Sequence, residues 1–409
     1  MAKIQSLIGK IIWNIFPVLF LNFTILAKKI LFMKNTVKFG EGKISGYISV
    51  FLGILSFLAV LCFKYPQWLT TPEFREIYTG ESMKMLLTAV IIASFFFAVL
   101  SFMLSKQKKW ALIGIIICTL TIVLGGFDVS PSEVVNKKVH LGLDWLLLDL
   151  FLMAVIFIPI EMVFPKRPDQ SKFHVEWRTD LTYFVVSHLL IQFFGAVTKA
   201  PATLFFGWMG LSGFHAYINS LPFLIELFIA FFVADLFQYW THRFFHSHTF
   251  LWRFHSIHHS TENMDWLAGS RTHFVDIFVT RSMAFIPLYI FGFSTLTFNV
   301  YIIFMAIHAV LIHANTRIEF GFIKHIFATP QYHHWHHCVE SEHYGKNFAT
   351  IFPFIDRMFG THYLPEKVWP SATGVTEAHY PKGYLKQAIH PFIQSPFDKN
   401  KEMQDLSSR

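Results

Sequence analysis

Histidine carries the chemistry of this chain. There are 22 histidines in 409 residues, and 15 of them fall between His242 and His343. Three clusters have the spacing of metal ligands. His242 and His246 stand four residues apart, so on a helix both imidazoles share a face and can reach one ion. His255, His258 and His259 form an H-x-x-H-H run, and His333, His336 and His337 repeat it, with His334 as a solvated neighbour or supporting group. One tetrahedral zinc takes four protein ligands or fewer, so eight imidazoles imply two metals. Neutral imidazole suits iron, zinc, copper and nickel alike, which leaves the metal open at this point.

Other polar residues are candidates around these clusters. Asp235 lies seven residues before His242, on roughly the same helical face and deep in an apolar stretch. A carboxylate there is costly unless paired, which makes it a catalytic candidate. Arg271 and His273 are candidates for orienting ligands or holding a carboxylate, with a loop salt bridge as the plainer role. His308 falls off the helical face of His313 and reads as a packed histidine, while Asp356 reads as a turn-pinning residue. His140, His174, His188, His215, His362, His379 and His390 are isolated and receive no role.

The elements that position these residues are apolar. Of the chain, 54% is hydrophobic and 15% charged, against roughly 25% charged in ordinary soluble domains. Lipid must therefore be one of its solvents. Stretches able to span or nearly span a bilayer occur at 11–32, 46–63, 85–103, 110–127, 142–164, 181–199 and 222–240. The region 274–313 holds Asp276, Arg281, His308 and His313, so a hairpin or re-entrant pair is expected there. A boundary near 140 separates N-terminal membrane helices (1–140) from the half with the chemistry (141–370), and 371–409 reads as a soluble tail ending in KNKEMQDLSSR.

The net charge of +8 does not point to nucleic acid, because the basic residues sit in short loops between apolar runs. Loops with Lys28, Lys29, Lys34, Lys38 and Lys43, then Lys106, Lys108 and Lys109, then Lys166, Arg167, Lys172 and Arg178 are the richer set. The positive-inside rule puts them, and the segment after residue 240, in the cytoplasm. Cys62, Cys118 and Cys338 show no paired spacing, and the N-terminus shows no convincing signal-peptide cleavage site.

The order HxxxH, HxxHH, HxxHH resembles the fatty acid hydroxylase and sterol desaturase superfamily of membrane di-iron oxygenases. His242-Arg243, Leu251-Trp252-Arg253-Phe254-His255, His258-His259-Ser260, Arg271-Thr272-His273, His313-Ala314-Asn315, Thr329-Pro330 and Asp356-Arg357-Met358-Phe359-Gly360-Thr361 strengthen the likeness, which covers about residues 145–365. The resemblance implies an all-α polytopic transmembrane bundle with a cytosolic-side cap of histidine-bearing helices and loops. It implies two irons, dioxygen as oxidant, electrons from a separate reductase, ferredoxin or cytochrome-type donor, and a lipid or sterol substrate to be hydroxylated or desaturated. Its ligand set carries over to His242, His246, His255, His258, His259, His333, His336 and His337, with His313 as a further histidine at the metals. His343-Tyr344-Gly345 departs from the Asn-Tyr-Gly that relatives often carry, and the resemblance does not explain the first 140 residues.

Two other functions compete. A zinc-dependent membrane hydrolase would need an open zinc position and a carboxylate base, as in HExxH, and no HExxH occurs. A non-enzymatic metal transporter would spread polar residues through several spans, whereas here the histidines concentrate after residue 240.

Overall fold

Apolar runs in contact with lipid fold as helices because their backbone N–H and C=O groups find partners only within the segment. The computed structural model describes residues 42–71, 80–129, 142–375 and 380–393. The expected span at 11–32, the loop lysines from Lys28 to Lys38, His140 and His379 lie outside these residues. The main helices are Lys43–Lys64 (α1), Gly80–Leu104 (α2), Lys109–Val123 (α3), Leu143–Val163 (α4), Trp177–Trp208 (α5), Ser212–Ser220 (α6) and Phe223–Ser247 (α7). They continue with Thr249–His259 (α8), Phe274–Phe291 (α9), Thr295–His313 (α10), Pro330–His336 (α11), Pro353–Met358 (α12) and Tyr384–Ile393 (α13).

The fold is all-helical. Among the described residues extended pairing is confined to one isolated bridge, Cys338 with Thr373. Among the described residues seven helices are long and apolar enough to cross a membrane: α1, α2, α3 with the turn that follows it, α4, α7, α9 and α10. The expected hairpin over 274–313 is α9 and α10, joined through Gly292, whose left-handed backbone (φ 63°) closes α9. Contacts divide the chain into two compact units, 1–147 and 148–409.

In the first unit α1, α2 and α3 pack through small residues, as helices do where lipid supplies no hydrophobic drive. A Cβ on Gly114 would stand 2.1 Å from Ser49 Oγ, so only glycine permits this approach of α3 to α1. Ser94 Oγ donates to Ser49 O (2.9 Å) and Ser101 Oγ to Gly42 O (2.6 Å).

The core of the second unit joins Ala230, Phe231, Ala234 and Tyr239 of α7 to Ala284, Phe285 and Leu288 of α9 and Tyr301 and Met305 of α10. Phe348, Ala349, Ile351, Phe352 and Ile355 are buried in the same core. An irregular segment at that depth must find a partner for every backbone N–H. Two carboxylates supply them. Asp356 accepts from the amides of Phe348 and Ala349, both at 2.8 Å. Asp235 accepts from those of Thr350 (2.9 Å), Ile351 (3.1 Å) and Phe352 (2.7 Å), and from Thr350 Oγ1 (2.8 Å). Asp356 also accepts from Thr361 Oγ1 (2.7 Å) and from the Tyr332 hydroxyl, which makes it the turn-pinning group expected of it. Five consecutive amides thus converge on two acids and turn residues 348–352 into a rigid strut.

Removing one acid orphans several buried donors at once, each costing about 1–3 kcal/mol. Asp356→Ala is therefore expected to lower stability by roughly 3 kcal/mol or more, read as a drop in the thermal unfolding midpoint in detergent. An unchanged midpoint would mean the strut is held by other groups.

Candidate metal centre

The nine histidines expected at the metals come from four elements. The last turns of α7 carry His242 and His246, α8 carries His255, His258 and His259, and α10 ends on His313. The short helix α11 carries His333 and His336, and His337 follows as its C-cap. Pro330 at the first turn and the Thr329 side chain, which accepts from the Tyr332 amide, start α11 at a fixed point.

The rings gather into two groups. Ring nitrogens of His242, His246, His255, His259 and His336 lie within 4.8 Å of one another, and those of His258, His313, His333 and His337 do the same. The groups adjoin: His259 and His337 stack at 4.2 Å, and His333 lies 5.3 Å from His336, both between ring centroids. Successive side chains on a helix diverge by about 100°, and the His258-His259 and His336-His337 dipeptides each send one ring to each group. Among the described residues neither group includes a carboxylate or thiol.

Backbone carbonyls and one carboxylate fix how these rings are protonated. The Nδ1 atoms of His242, His336, His258 and His313 face the carbonyls of Phe348 (2.8 Å), Lys346 (2.8 Å), Arg271 (3.1 Å) and Ala309 (2.7 Å). His255 Nδ1 faces Asp276 Oδ2 at 2.7 Å. A carbonyl oxygen only accepts, so Nδ1 carries the proton and Nε2 presents a lone pair. His242 Nε2 nevertheless stands 2.9 Å from His255 Nε2, and His258 Nε2 stands 3.3 Å from His313 Nε2. Between such atoms there is no proton to share.

Two lone pairs held face to face repel unless a cation lies between them. Two nitrogens about 2.1 Å from one ion and at right angles would be about 3.0 Å apart, which matches these spacings. Nε2 of His246, His259 and His336 is also buried without a hydrogen-bond partner, an arrangement that is rare unless something else satisfies the atom. The residues fit a pair of transition-metal ions bound through neutral imidazole.

The electrostatics agree. Burial, reinforced by neighbouring histidines, holds His258, His259, His333 and His337 well below the ordinary histidine range. Burial likewise pushes His336 down to about 3. Rings that refuse protons stay available to metal.

The other expected site residues lie around the groups. Asp235 spends its oxygens on the 350–352 backbone, as described. Arg271 is buried and its guanidinium reaches Asp180 and Glu176, the latter at 3.1 Å, while its carbonyl meets His258. His273 caps α9, where its Nδ1 accepts from the Val275 amide (3.1 Å) and its Nε2 donates to Ala388 O (2.9 Å). His308 Nε2 bonds Thr350 O at 2.9 Å. His334 is buried beside Trp369, its Nε2 3.3 Å from His313 O. His343 stacks on Tyr363 at 4.0 Å, outside both groups.

Sequence reasoning missed three supports. Asp276, in the first turn of α9, orients His255. Glu161 accepts from the amides of Trp266 (2.8 Å) and Asn315 (3.0 Å), and Asn315 Oδ1 in turn takes the amides of Lys166 (3.1 Å) and Arg167 (2.8 Å). His174 lies between Asp265 (3.3 Å) and Asp180 (3.4 Å). Burial pushes His174 down, but the two carboxylates outweigh it and hold the ring above its ordinary value. Acids flanking apolar stretches were the available signal for all three.

Residues 227–361 match the family model described as fatty acid hydroxylase. Ornithine lipid hydroxylase OlsE of Rhizobium tropici is 29% identical over 178 residues, covering 44% of this chain and 54% of that protein. Methylsterol monooxygenase 1-2 of Arabidopsis thaliana is 28% identical over 145 residues, 35% of this chain and 48% of the relative. Alkylglycerol monooxygenase of Danio rerio is 32% identical over 143 residues, 34% of this chain and 30% of the relative. The chain thus spans about half or less of the length of these relatives. No solved structure matches it.

The depressed histidines give a pH dependence with a definite sign. Between the ordinary value of 6.5 and about 3 for His336, the unfolded chain binds protons that the folded chain refuses. Stability rises with pH wherever the unfolded state holds more protons. Metal-free protein should therefore lose thermal stability progressively as pH falls below 6.5, measured by unfolding at stepped pH values in detergent. A midpoint that is level or rises down to pH 5 would contradict the burial of neutral rings.

Proposed function

We propose that this protein, whose residues 227–361 match the fatty acid hydroxylase family model, is a membrane-embedded, O2-dependent oxidoreductase that hydroxylates an alkyl group of a lipid or sterol. The observation that carries the reading is the pair of adjoining all-histidine groups, five rings and four, whose Nε2 lone pairs face one another. Two irons bound there would supply the activation of dioxygen that breaking an unactivated C–H bond requires and side chains cannot provide.

The chain's own residues do the holding and orienting. His242, His246, His255, His259 and His336 would hold one ion, and His258, His313, His333 and His337 the other. Asp276 keeps the His255 proton on Nδ1 and its lone pair inward, and such outer partners tune ligand basicity and orientation. The Phe348 and Lys346 carbonyls do the same for His242 and His336. Asp235 works through the 350–352 backbone, and Arg271 and His273 fix the loop that presents the Arg271 carbonyl to His258. Trp252 and Phe348 wall the first group, their rings 4.9 and 5.1 Å from His246, and keep bulk water from it.

The relatives named above act on an ornithine lipid, a methylsterol and an alkylglycerol by name. All three are lipids by name, and that sets the substrate class proposed here. Hydroxylation is preferred to desaturation because those names are hydroxylase and monooxygenase. The loop charges favour a cytoplasmic site, within reach of a separate electron donor. The domain division proposed is an N-terminal helical part of unassigned role up to about 140, the histidine-bearing part over 141–370, and the tail. A zinc hydrolase fits less well because neither group, among the described residues, brings a carboxylate that could serve as its base.

The test is metal content and O2-dependent turnover of purified protein carrying His336→Ala, from the first group, or His258→Ala, from the second. Each change is expected to lose iron and the lipid product bearing one added oxygen atom, detected by mass spectrometry of extracts. Iron and turnover that survive both would remove the proposed centre, and product formed without dioxygen would favour the hydrolase. Asp276→Asn should leave all nine rings in place yet weaken metal affinity by about 10–100-fold, read by chelator competition. Affinity equal to that of the unaltered protein would deny Asp276 its orienting role.

A further inference from the structure

The C-terminal segment, polar in composition, contains a helix turned the wrong way round for a soluble protein. In α13, Leu385, Ile389, Phe392 and Ile393 follow the i, i+4, i+7, i+8 spacing of one face. That face is exposed, at 72%, 53%, 59% and 77% of full accessibility respectively. The opposite face points inward with Gln387 and Pro391, both buried. Gln387 reaches Glu176 Oε2 at 3.3 Å, and the Ala388 carbonyl accepts from His273. A soluble surface helix does the reverse and hides its apolar stripe.

The docking position says what covers that stripe. α13 packs on the first turns of α5 and of α9, the latter one of the helices long and apolar enough to cross a membrane. Tyr384 meets Tyr183 near the start of α5 edge-on at 4.8 Å, and Phe392 meets Phe274, the first residue of α9, at 6.0 Å. Phe392 also lies 5.3 Å from Phe254 of α8. α9 begins at the end of the bundle where α7 and α10 terminate in His242, His246 and His313. The stripe therefore continues the apolar surface of the spans at the level where they leave the hydrocarbon. Exposed Phe250 of α8, and Phe173 and Val175 just before α5, belong to the same end of the bundle. Lys382 and Lys386 are exposed beside the stripe and suit phosphate headgroups.

We infer that α13 is an in-plane membrane helix, seated with Leu385, Ile389, Phe392 and Ile393 in the acyl–headgroup boundary of the leaflet next to the histidine groups. Its occupant is the phospholipid of the protein's own bilayer. The inference rests on the membrane-spanning character of the neighbouring helices and stands whether or not the histidines prove to bind iron. Mechanically, α13 ties the membrane surface to His273 and Phe254, and so to the loop and helix that present the second histidine cluster.

Full-length protein in nanodiscs, labelled with bimane at Ile389→Cys, tests this. Cys62, Cys118 and Cys338 are buried, which keeps them out of reach of the label in the folded protein. Glu342→Cys, on an exposed loop, serves as the aqueous reference. Quenching by doxyl groups carried on phospholipid acyl chains is expected to be about threefold or more stronger at position 389 than at 342, with iodide quenching weaker by a similar factor. Iodide quenching equal to the reference, without doxyl quenching, would place the stripe in water and overturn the inference. Protection from both quenchers would mean that protein covers it, and would overturn the inference equally.

Discussion

The second unit depends on one constraint: a stretch of irregular backbone, residues 346–352, runs through an apolar core. Such backbone persists only where each polar group is matched. The amides of residues 348–352 are matched by Asp235 and Asp356, two buried acids on different helices, and that of Asn347 by the Thr361 carbonyl. Once the amides are fixed, the carbonyls on the other side are aimed, and they meet His336, His242 and His308. Carboxylates that touch no histidine ring thereby decide which nitrogen of three rings carries the proton. Asp276, the Arg271 carbonyl and the Ala309 carbonyl complete that control at His255, His258 and His313.

Much of this was legible from residue spacing, and the reason is local geometry. Ligand histidines on one helix must recur every three or four residues, so HxxxH and HxxHH show in the letters alone. His313 stands apart from the other clusters, and only the HAN element of the family resemblance singled it out. The hairpin over 274–313 was legible because Asp276, Arg281 and the histidines interrupt an otherwise apolar run. Backbone acceptors were invisible, since a carbonyl at Lys346 or Phe348 leaves no mark on residue type. Asp235 stood out because a charge inside an apolar helix is costly, but its letter cannot say whether it faces a ring or a run of amides. His174 looked isolated because Asp265 is near it only in the fold and Asp180, six residues on, stands at no spacing that marks a partner.

The tail shows a different blindness. Counting polar residues after 371 suggests a solvated segment, yet ten residues of that segment form α13, which buries Gln387 and Pro391 and exposes its apolar stripe. Composition averages over faces. The two sides become distinct only when the partners of Gln387 and of the Ala388 carbonyl, Glu176 and His273, are known.

The His258-His259 and His336-His337 dipeptides carry a consequence for how the groups behave together. Because residues 258 and 259 belong to different groups, as do 336 and 337, neither set of rings can shift without dragging the peptide bonds that anchor the other. A backbone displacement at either dipeptide therefore reaches both groups through a single covalent step. The pair therefore responds as one mechanical body with two unequal halves, five-toothed and four-toothed.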